Sequence, residues 1–282
     1  MPTRRYAIIT GSASGLGRAL AVRLARDGWH LALADVDDAA NAETLGLVER
    51  AGGSGQLEHL DVANAGAWQT LEVKLRAAWP RLDMLVNNAG VAASGAVGQT
   101  PLDDWHWLLG VNLWGAIYGC HTLIPWLREN AEGGQVVNVA SIAGFLAPPS
   151  MGAYNVSKAG VIALSETMHA ELRGTKVGVT VVCPGFFRTN LGVRARFGQP
   201  SHREFFDRVT ERSRISADEV AHAVVAAARR KRLYVIVPGR ARALWRLKRA
   251  LPRGFAALLR RLYNADRNEA PAPEASPADP PR

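Results

Sequence analysis

The chain has 282 residues, 48% of them hydrophobic, a net charge of +9 and two cysteines, Cys120 and Cys183. That suits one large domain or two small ones; two cysteines in apolar stretches exclude a disulfide framework and point to buried thiols in a reducing, cytoplasmic compartment. Residues 229–282 hold 14 Lys+Arg against 4 Asp+Glu, a balance of +10, while residues 1–228 hold 20 against 21, a balance of −1, so the body lacks the basic footprint of a nucleic-acid-binding protein.

The N-terminus leads directly into a short apolar run, Tyr6–Thr10, too short for a signal peptide or a membrane span. Further short, β-branched or apolar runs bounded by Gly, Asp, Asn or Pro fall at His30–Ala34, Gln56–Leu60, Met84–Val86, Gln135–Ala140, Val177–Val182 and Leu233–Val237. Between them lie helix-length segments at 15–27, 38–51, 64–79, 103–130, 152–173 and 216–230. This alternation predicts an α/β fold, a Rossmann-type doubly wound parallel sheet of about seven strands with helices on both faces. The division expected is one Rossmann-type domain over 1–240, an amphipathic basic helical extension over 241–263 and a disordered Pro/Ala-rich tail over 264–282. Residues 184–201, rich in Pro, Gly, Phe and Arg, are the one long irregular stretch of the body, where a mobile lid is expected.

Between the first strand and the first helix stands Thr10-Gly11-Ser12-Ala13-Ser14-Gly15-Leu16-Gly17. Glycines at 11, 15 and 17 permit a tight turn that brings a pyrophosphate to backbone N–H groups at a helix N-terminus. Asp35, 18 residues past Gly17, ends the second strand where a carboxylate accepts hydrogen bonds from ribose hydroxyls. A carboxylate there repels a 2′-phosphate, so the expected cofactor is NAD rather than NADP. Arg18 is the nearby cation that could still favour a phosphate.

Tyr154-x-x-x-Lys158, thirteen residues after Ser141, specifies a proton-transfer device if its segment is helical, because residues four apart share a face. A nearby ammonium stabilises a phenolate and lowers the Tyr pKa. Lysine is unusual here: the chain has 29 Arg and five Lys, and a compact ammonium serves a hydroxyl differently from a planar guanidinium. Taken alone, an incidental pair on a surface helix is an equal reading.

Together these residues resemble the short-chain dehydrogenase/reductase family across about 1–240. The glycine loop resembles its T-G-x-x-x-G-x-G motif, Asp61-Val62 its adenine-contacting site, Asn87-Asn88-Ala89-Gly90 its N-N-A-G motif, and Pro184-Gly185-Phe186-Phe187-Arg188-Thr189 its P-G-x-x-x-T segment. The resemblance implies a catalytic set of Asn112, Ser141, Tyr154 and Lys158 and no metal. It implies a dinucleotide held by Gly11, Ser14, Gly15, Leu16, Gly17, Asp35, Asp61, Val62, Asn88, Ala89, Gly90, Tyr154, Lys158, Pro184, Gly185 and Thr189. Tyr154 would exchange a proton with the substrate oxygen, Lys158 would lower its pKa and hold the ribose, and Ser141 would polarise the oxygen. Asn112 would hold a helix kink and a relay water. The resemblance also implies a homodimer or homotetramer joined through the 103–130 and 152–173 helices.

The expected substrate is a lipophilic alcohol or ketone, because Ala92, Ala93, Ser94, Ile142, Ala143, Phe145, Leu146, Ala147, Met151, Phe186, Phe187, Leu191 and Val193 flank the motifs and are nearly all apolar. Arg188, Arg194, Arg196 and Arg203 in the lid read as solubilising rather than substrate-binding. His121 and His169 read as packing or surface residues, and Trp105, Trp107, Trp114 and Trp126 as core or oligomer interface. In the extension, Leu244, Leu247, Leu251, Phe255, Leu258 and Leu262 recur every three or four residues among arginines, with Pro252 splitting the run. Peripheral contact with an anionic membrane and a helical hairpin packed over the substrate entrance or a neighbouring subunit are equal readings. The leading expectation for the whole is an NAD-dependent alcohol dehydrogenase or ketone reductase; an NADPH-dependent carbonyl reductase and a catalytically silent nucleotide-sensing scaffold are the alternatives.

Overall fold

Strands that carry apolar side chains on both faces need cover on both. The computed structural model, which describes residues 4–188 and 190–269, supplies it. The first half runs β1 (Tyr6–Thr10), α1 (Gly15–Ala25), β2 (His30–Asp35), α2 (Asp38–Arg50), β3 (Ser54–His59), α3 (Ala65–Ala78), β4 (Met84–Asn87) and a two-residue strand β5 (Ala93–Ser94). A long helix follows as α4 (Leu102–Leu109), a π-helical turn (Gly110–Trp114) and α5 (Gly115–Glu129). Then come β6 (Gln135–Val139), α6 (Ile142–Leu146), α7 (Gly152–Glu171), β7 (Gly178–Pro184), a 3₁₀ turn (Asn190–Gly192), β8 (Arg196–Phe197) and α8 (Pro200–Glu211). The described chain ends with α9 (Ala217–Arg229), β9 (Tyr234–Val237), α10 (Gly239–Ala250) and α11 (Pro252–Glu269).

The seven-stranded sheet has the order β3-β2-β1-β4-β6-β7-β9, and its pairings are all parallel. The chain reverses its winding between β1 and β4, the point at which parallel sheets of this kind bind ligands beyond their carboxyl ends. Strand alternation sorts the core into two layers. Ile9, Leu31, Leu33, Val137 and Val182 pack beneath α1 and α9. Ile8, Ala32, Leu85, Val136 and Val179 pack on the other side against Trp68 and Leu75 of α3, Leu123 of α5 and Met168 of α7.

One buried polar chain crosses the second layer. Asn87 Nδ2 donates to Asn138 Oδ1 at 2.9 Å, and Asn138 Nδ2 donates to Ser165 Oγ at 3.0 Å, linking β4, β6 and α7. It replaces hydrogen bonds that these groups would otherwise lose on burial.

The seven expected strands and six helical segments all occur, with shifted ends. The 103–130 segment is divided by the π-helical turn. Residues 184–201 are less irregular than expected: β8 pairs in parallel with β5 and α8 begins at Pro200. Pro252 does split the extension, but α10 already starts at Gly239 and α11 continues to Glu269. Residues 264–269 are therefore helical where the sequence reading expects disorder, and 270–282 lie outside the described residues.

Asn138→Ala removes both bonds of this chain, leaving Asn87 Nδ2 only the weaker partners Cys120 Sγ (3.3 Å) and Ala116 O (3.5 Å) and Ser165 Oγ only Val161 O (2.7 Å), and is expected to lower stability by about 1–2 kcal/mol. The urea midpoint should fall with its slope unchanged.

Candidate active site

The loop after β1 is built for close approach. Gly11 has φ +65°, a left-handed conformation that favours glycine, and its N–H donates to the Ala34 carbonyl at 2.8 Å. A Cβ at Gly17 would overlap the Gly11 carbonyl oxygen, so the helix can lie on the loop only without a side chain there. Ser14 precedes α1 in an extended conformation and its hydroxyl makes no cap bond, leaving the first-turn N–H groups for an anion. Leu16 is buried in the core and anchors that turn. The Asn88 side chain donates to the carbonyls of Thr10 (2.9 Å) and Gly11 (3.1 Å), while Thr10 Oγ1 accepts the N–H of Asn88 and of Ala89 at 3.0 Å each. The loop is thus stitched to the end of β4.

Both oxygens of Asp35 are fixed from below, accepting from the N–H of Ala13 (2.9 Å) and of Asp37 (3.1 Å). Asp61 is exposed past the neighbouring strand, one oxygen accepting from the Ala63 N–H at 3.0 Å, and Val62 is buried beside it. Pro184 is buried at the end of β7, and Gly185 N–H donates to Val237 O at 2.7 Å. Thr189 lies outside the described residues. Arg18, the sequence candidate for an additional phosphate contact, is committed elsewhere: its guanidinium donates to the carbonyls of Ala13 and Ala40, to Thr44 Oγ1 and to Glu43. The groups present fit a dinucleotide: a glycine cradle, an uncapped helix start and an oriented carboxylate.

Ser141, Tyr154, Lys158 and Asn112 are all buried and come together beyond the ends of β4 and β6. Ser141 begins α6, its hydroxyl accepting from the Ala143 N–H at 3.1 Å. Tyr154 and Lys158 stand one turn apart on α7, with Lys158 Nζ 5.8 Å from the centre of the Tyr154 ring and donating to Val139 O at 3.0 Å. Asn112 sits in the π-helical turn. Its amide oxygen accepts from the Val91 N–H (2.8 Å), and its nitrogen donates to Val91 O (2.9 Å) and Ser157 Oγ (3.2 Å). It thereby clamps the strand-end segment to both helices. Gly90 borders Asn112 Oδ1 and Lys158 Nζ.

Electrostatics depart from the sequence expectation in one respect. Burial pushes the Tyr154 phenol up to about 12, and a hydrogen bond with Ser141 only partly opposes it. Burial also pushes the Lys158 ammonium down to about 8, with Cys183 pulling weakly the other way. Removal from water therefore sets the direction of both shifts. At neutral pH both groups hold their protons, and Tyr154 is set as a donor.

The walls also differ in part. Ala92, Ala93, Ala143, Met151 and Leu191 do cluster about Tyr154, joined by Trp105 and Trp107, which the sequence reading assigns to core or interface. Phe145 instead faces α10, its ring 5.2 Å from Trp245, and Leu146 packs on that side too. Phe187 packs against the α1–α9 layer, Phe186 meets Phe205 and Phe206 of α8, and Val193 is exposed. Three lid arginines are ion-paired within the chain: Arg194 to Asp37 (2.7 Å), Arg196 to Asp104 (2.6 Å) and Arg203 to Asp207 (3.2 Å). Arg196 also stacks 4.0 Å over Trp107. His202 Nδ1 lies 3.2 Å from Ser94 Oγ, a pairing with no sequence signal because 108 residues separate the two. His121 and His169 are exposed, and both cysteines are buried and free.

Gly17→Ala is expected to abolish dinucleotide binding, read by calorimetry. Lys158→Met tests the cost of burying the ammonium. A folded-state pKa near 8 against an unfolded value of 10.5 means that the penalty is complete below about pH 8 and gone above about 10.5. The variant should gain about 3 kcal/mol at pH 7, with the gain shrinking as pH rises toward 10, followed by denaturant titration.

Residues 5–199 match the short chain dehydrogenase family. The probable oxidoreductase EphD of Mycobacterium tuberculosis is 32% identical over 260 residues, 89% of this chain but 44% of that protein, so the chain spans less than half of that relative. A 3β-hydroxysteroid dehydrogenase of Mediterraneibacter gnavus is 32% identical over 189 residues, covering 67% of this chain and 68% of its own. A short chain dehydrogenase/reductase of Burkholderia phymatum, solved with NAD, superposes with a TM-score of 0.83 at 31% identity, covering 96% of this chain and 98% of its own. Structural neighbours have been solved with NAD and with NADPH, so kinship does not select between the two cofactors. Sheet order, glycine loop and family match agree: the chain belongs to the short-chain dehydrogenase/reductase family of oxidoreductases.

Proposed function

We propose that this protein is an NAD-dependent oxidoreductase interconverting a secondary alcohol and a ketone on a lipophilic small molecule, with Tyr154 as general acid and base. The observation that carries the reading is the buried Tyr154 phenol beside Ser141 and one turn from Lys158. A nicotinamide dinucleotide, when bound, supplies the hydride chemistry that no side chain can. Gly11, Ser14, Gly15, Gly17 and Asp35 would hold its adenosine and pyrophosphate end; Asn88, Ala89, Gly90, Pro184 and Gly185 would border its nicotinamide end.

In reduction, Tyr154 Oη donates its proton to the carbonyl oxygen; in oxidation it takes the proton from the alcohol. Ser141 Oγ orients that oxygen and hydrogen-bonds the phenol. Lys158 keeps a positive charge close by, which favours the phenolate left after donation. Asn112 holds Val91 and Ser157, and so the walls, in place. The apolar cluster around Tyr154 favours a hydrophobic skeleton, and the relative named for a hydroxysteroid is consistent with one.

Asp35 supports NAD, since it would repel a 2′-phosphate and Arg18 is too occupied to offset it. A homodimer or homotetramer is part of the proposal: exposed Trp114 stacks on Tyr118 at 5.5 Å at the start of α5, and Val156 is exposed on α7.

The test is a panel of steroids, aryl carbinols and long-chain alcohols followed by NADH absorbance. Tyr154→Phe is expected to lower kcat/KM by about 10³ while leaving NAD affinity nearly unchanged. NAD should be preferred to NADP, and Asp35→Ser should erode that preference. Turnover that survives in Tyr154→Phe would remove the proton-transfer assignment; a parent enzyme that prefers NADP would remove the cofactor assignment.

A further inference from the structure

The excess positive charge of the chain has no role in the site described above. It is concentrated in residues 229–282, and much of it stands on α10 and α11. One stripe of α10 faces the body: Ala241 is buried, Trp245 packs against Phe145 (5.2 Å) and Tyr234 (5.8 Å), and Lys248 Nζ donates to Phe145 O at 2.7 Å. A second stripe does not. Leu244, Leu247 and Leu251 are 42%, 43% and 60% exposed, and Leu258 of α11 is 43% exposed. Arg246, Arg253, Arg260 and Arg261 stand exposed around these leucines, and among the described residues no ion pair with a carboxylate involves them.

We propose that the helix pair α10–α11 is a docking surface for an anionic lipid bilayer. The occupant of this surface must both take up leucines and neutralise arginines. A second copy of the helix pair would oppose positive charge to positive charge. The body of the chain is close to neutral overall, with its balance of −1, so another molecule brings no net counter-charge. The headgroup boundary of an anionic membrane meets both requirements: leucines enter the acyl region while arginines remain among phosphates. Contact is peripheral, because no helix among the described residues is long and apolar enough to cross a membrane. Since α10 rests on α6, the helix that Ser141 begins, docking would hold that side of the molecule close to the bilayer. This surface is independent of the catalytic reading and would stand if that reading failed.

The experiment is co-sedimentation of the full chain with phosphatidylcholine vesicles, with and without phosphatidylglycerol. Binding is expected only with the anionic lipid and should weaken in high salt. Leu244→Gln combined with Leu247→Gln should reduce binding about tenfold. Arg253→Gln, Arg260→Gln and Arg261→Gln together should reduce it on the order of a hundredfold, roughly fivefold for each arginine. All of these positions are exposed, and an unchanged thermal midpoint checks that each variant is folded. Equal binding to both vesicle types, or undiminished binding by the leucine variant, overturns the proposal. So does duplex DNA bound as tightly as the anionic vesicles and equally by parent and leucine variant, which assigns the arginines to nucleic acid. A concentration-dependent dimer abolished by the leucine changes assigns the face to a second copy and likewise overturns it.

Discussion

The Lys158 ammonium is removed from water and given one fixed backbone acceptor, the carbonyl of Val139. That bond and its neighbour set the geometry of the whole site. Asn138 and Val139, adjacent at the end of β6, grip Ser165 and Lys158, which are seven residues apart and so on one face of α7. Tyr154 stands a turn further toward the helix start on the same stripe. From the other side Asn112 reaches Ser157. Helix α7 is therefore held by polar bonds at successive turns, where apolar packing alone would tolerate a small slide. The proposed proton transfer requires heavy atoms within hydrogen-bond reach, and these bonds would supply that precision.

The same burial favours the neutral form of each titrating group, raising the phenol and depressing the ammonium. A structure selected only for stability would place apolar side chains there. Keeping a buried lysine beside a buried tyrosine is a local conflict of the kind that marks functional sites. The surrounding sheet, apolar on both faces, supplies the stability that tolerates it.

Much of this was legible in the residues themselves. Strands flanked by Gly and Asp, a glycine run opening a helix, and an acid at the next strand end are local signals, and the structure places them together. What local signals could not show was orientation. Phe145 and Leu146 lie between Ser141 and Tyr154 in sequence, yet Phe145 turns toward Trp245, 100 residues on, because α6 is a short helix with two sides. The two-residue β5–β8 pair is too short to leave a periodicity, and the Arg194–Asp37 bridge joins residues 157 apart. The upward direction of the Tyr154 shift is hidden for the same reason: a charge four residues away is visible in a sequence, whereas the extent of burial is not.

The π-helical turn at Gly110–Trp114 affects how this chain can vary. Such a turn holds one residue more than the α-helix it interrupts, so α4 and α5 do not share a single helical phase, and no one wheel describes the 103–130 segment. Deleting one residue there would restore a regular helix with α5 in nearly its present phase, leaving Leu123, Trp126 and Leu127 buried but taking away the turn that carries the Asn112 clamp on Val91. The same deletion past the turn has no bulge to absorb it and rotates everything beyond by about 100°. Substitutions on this helix can be judged one side chain at a time; changes of length cannot, because a single residue keeps the core and the active site in register.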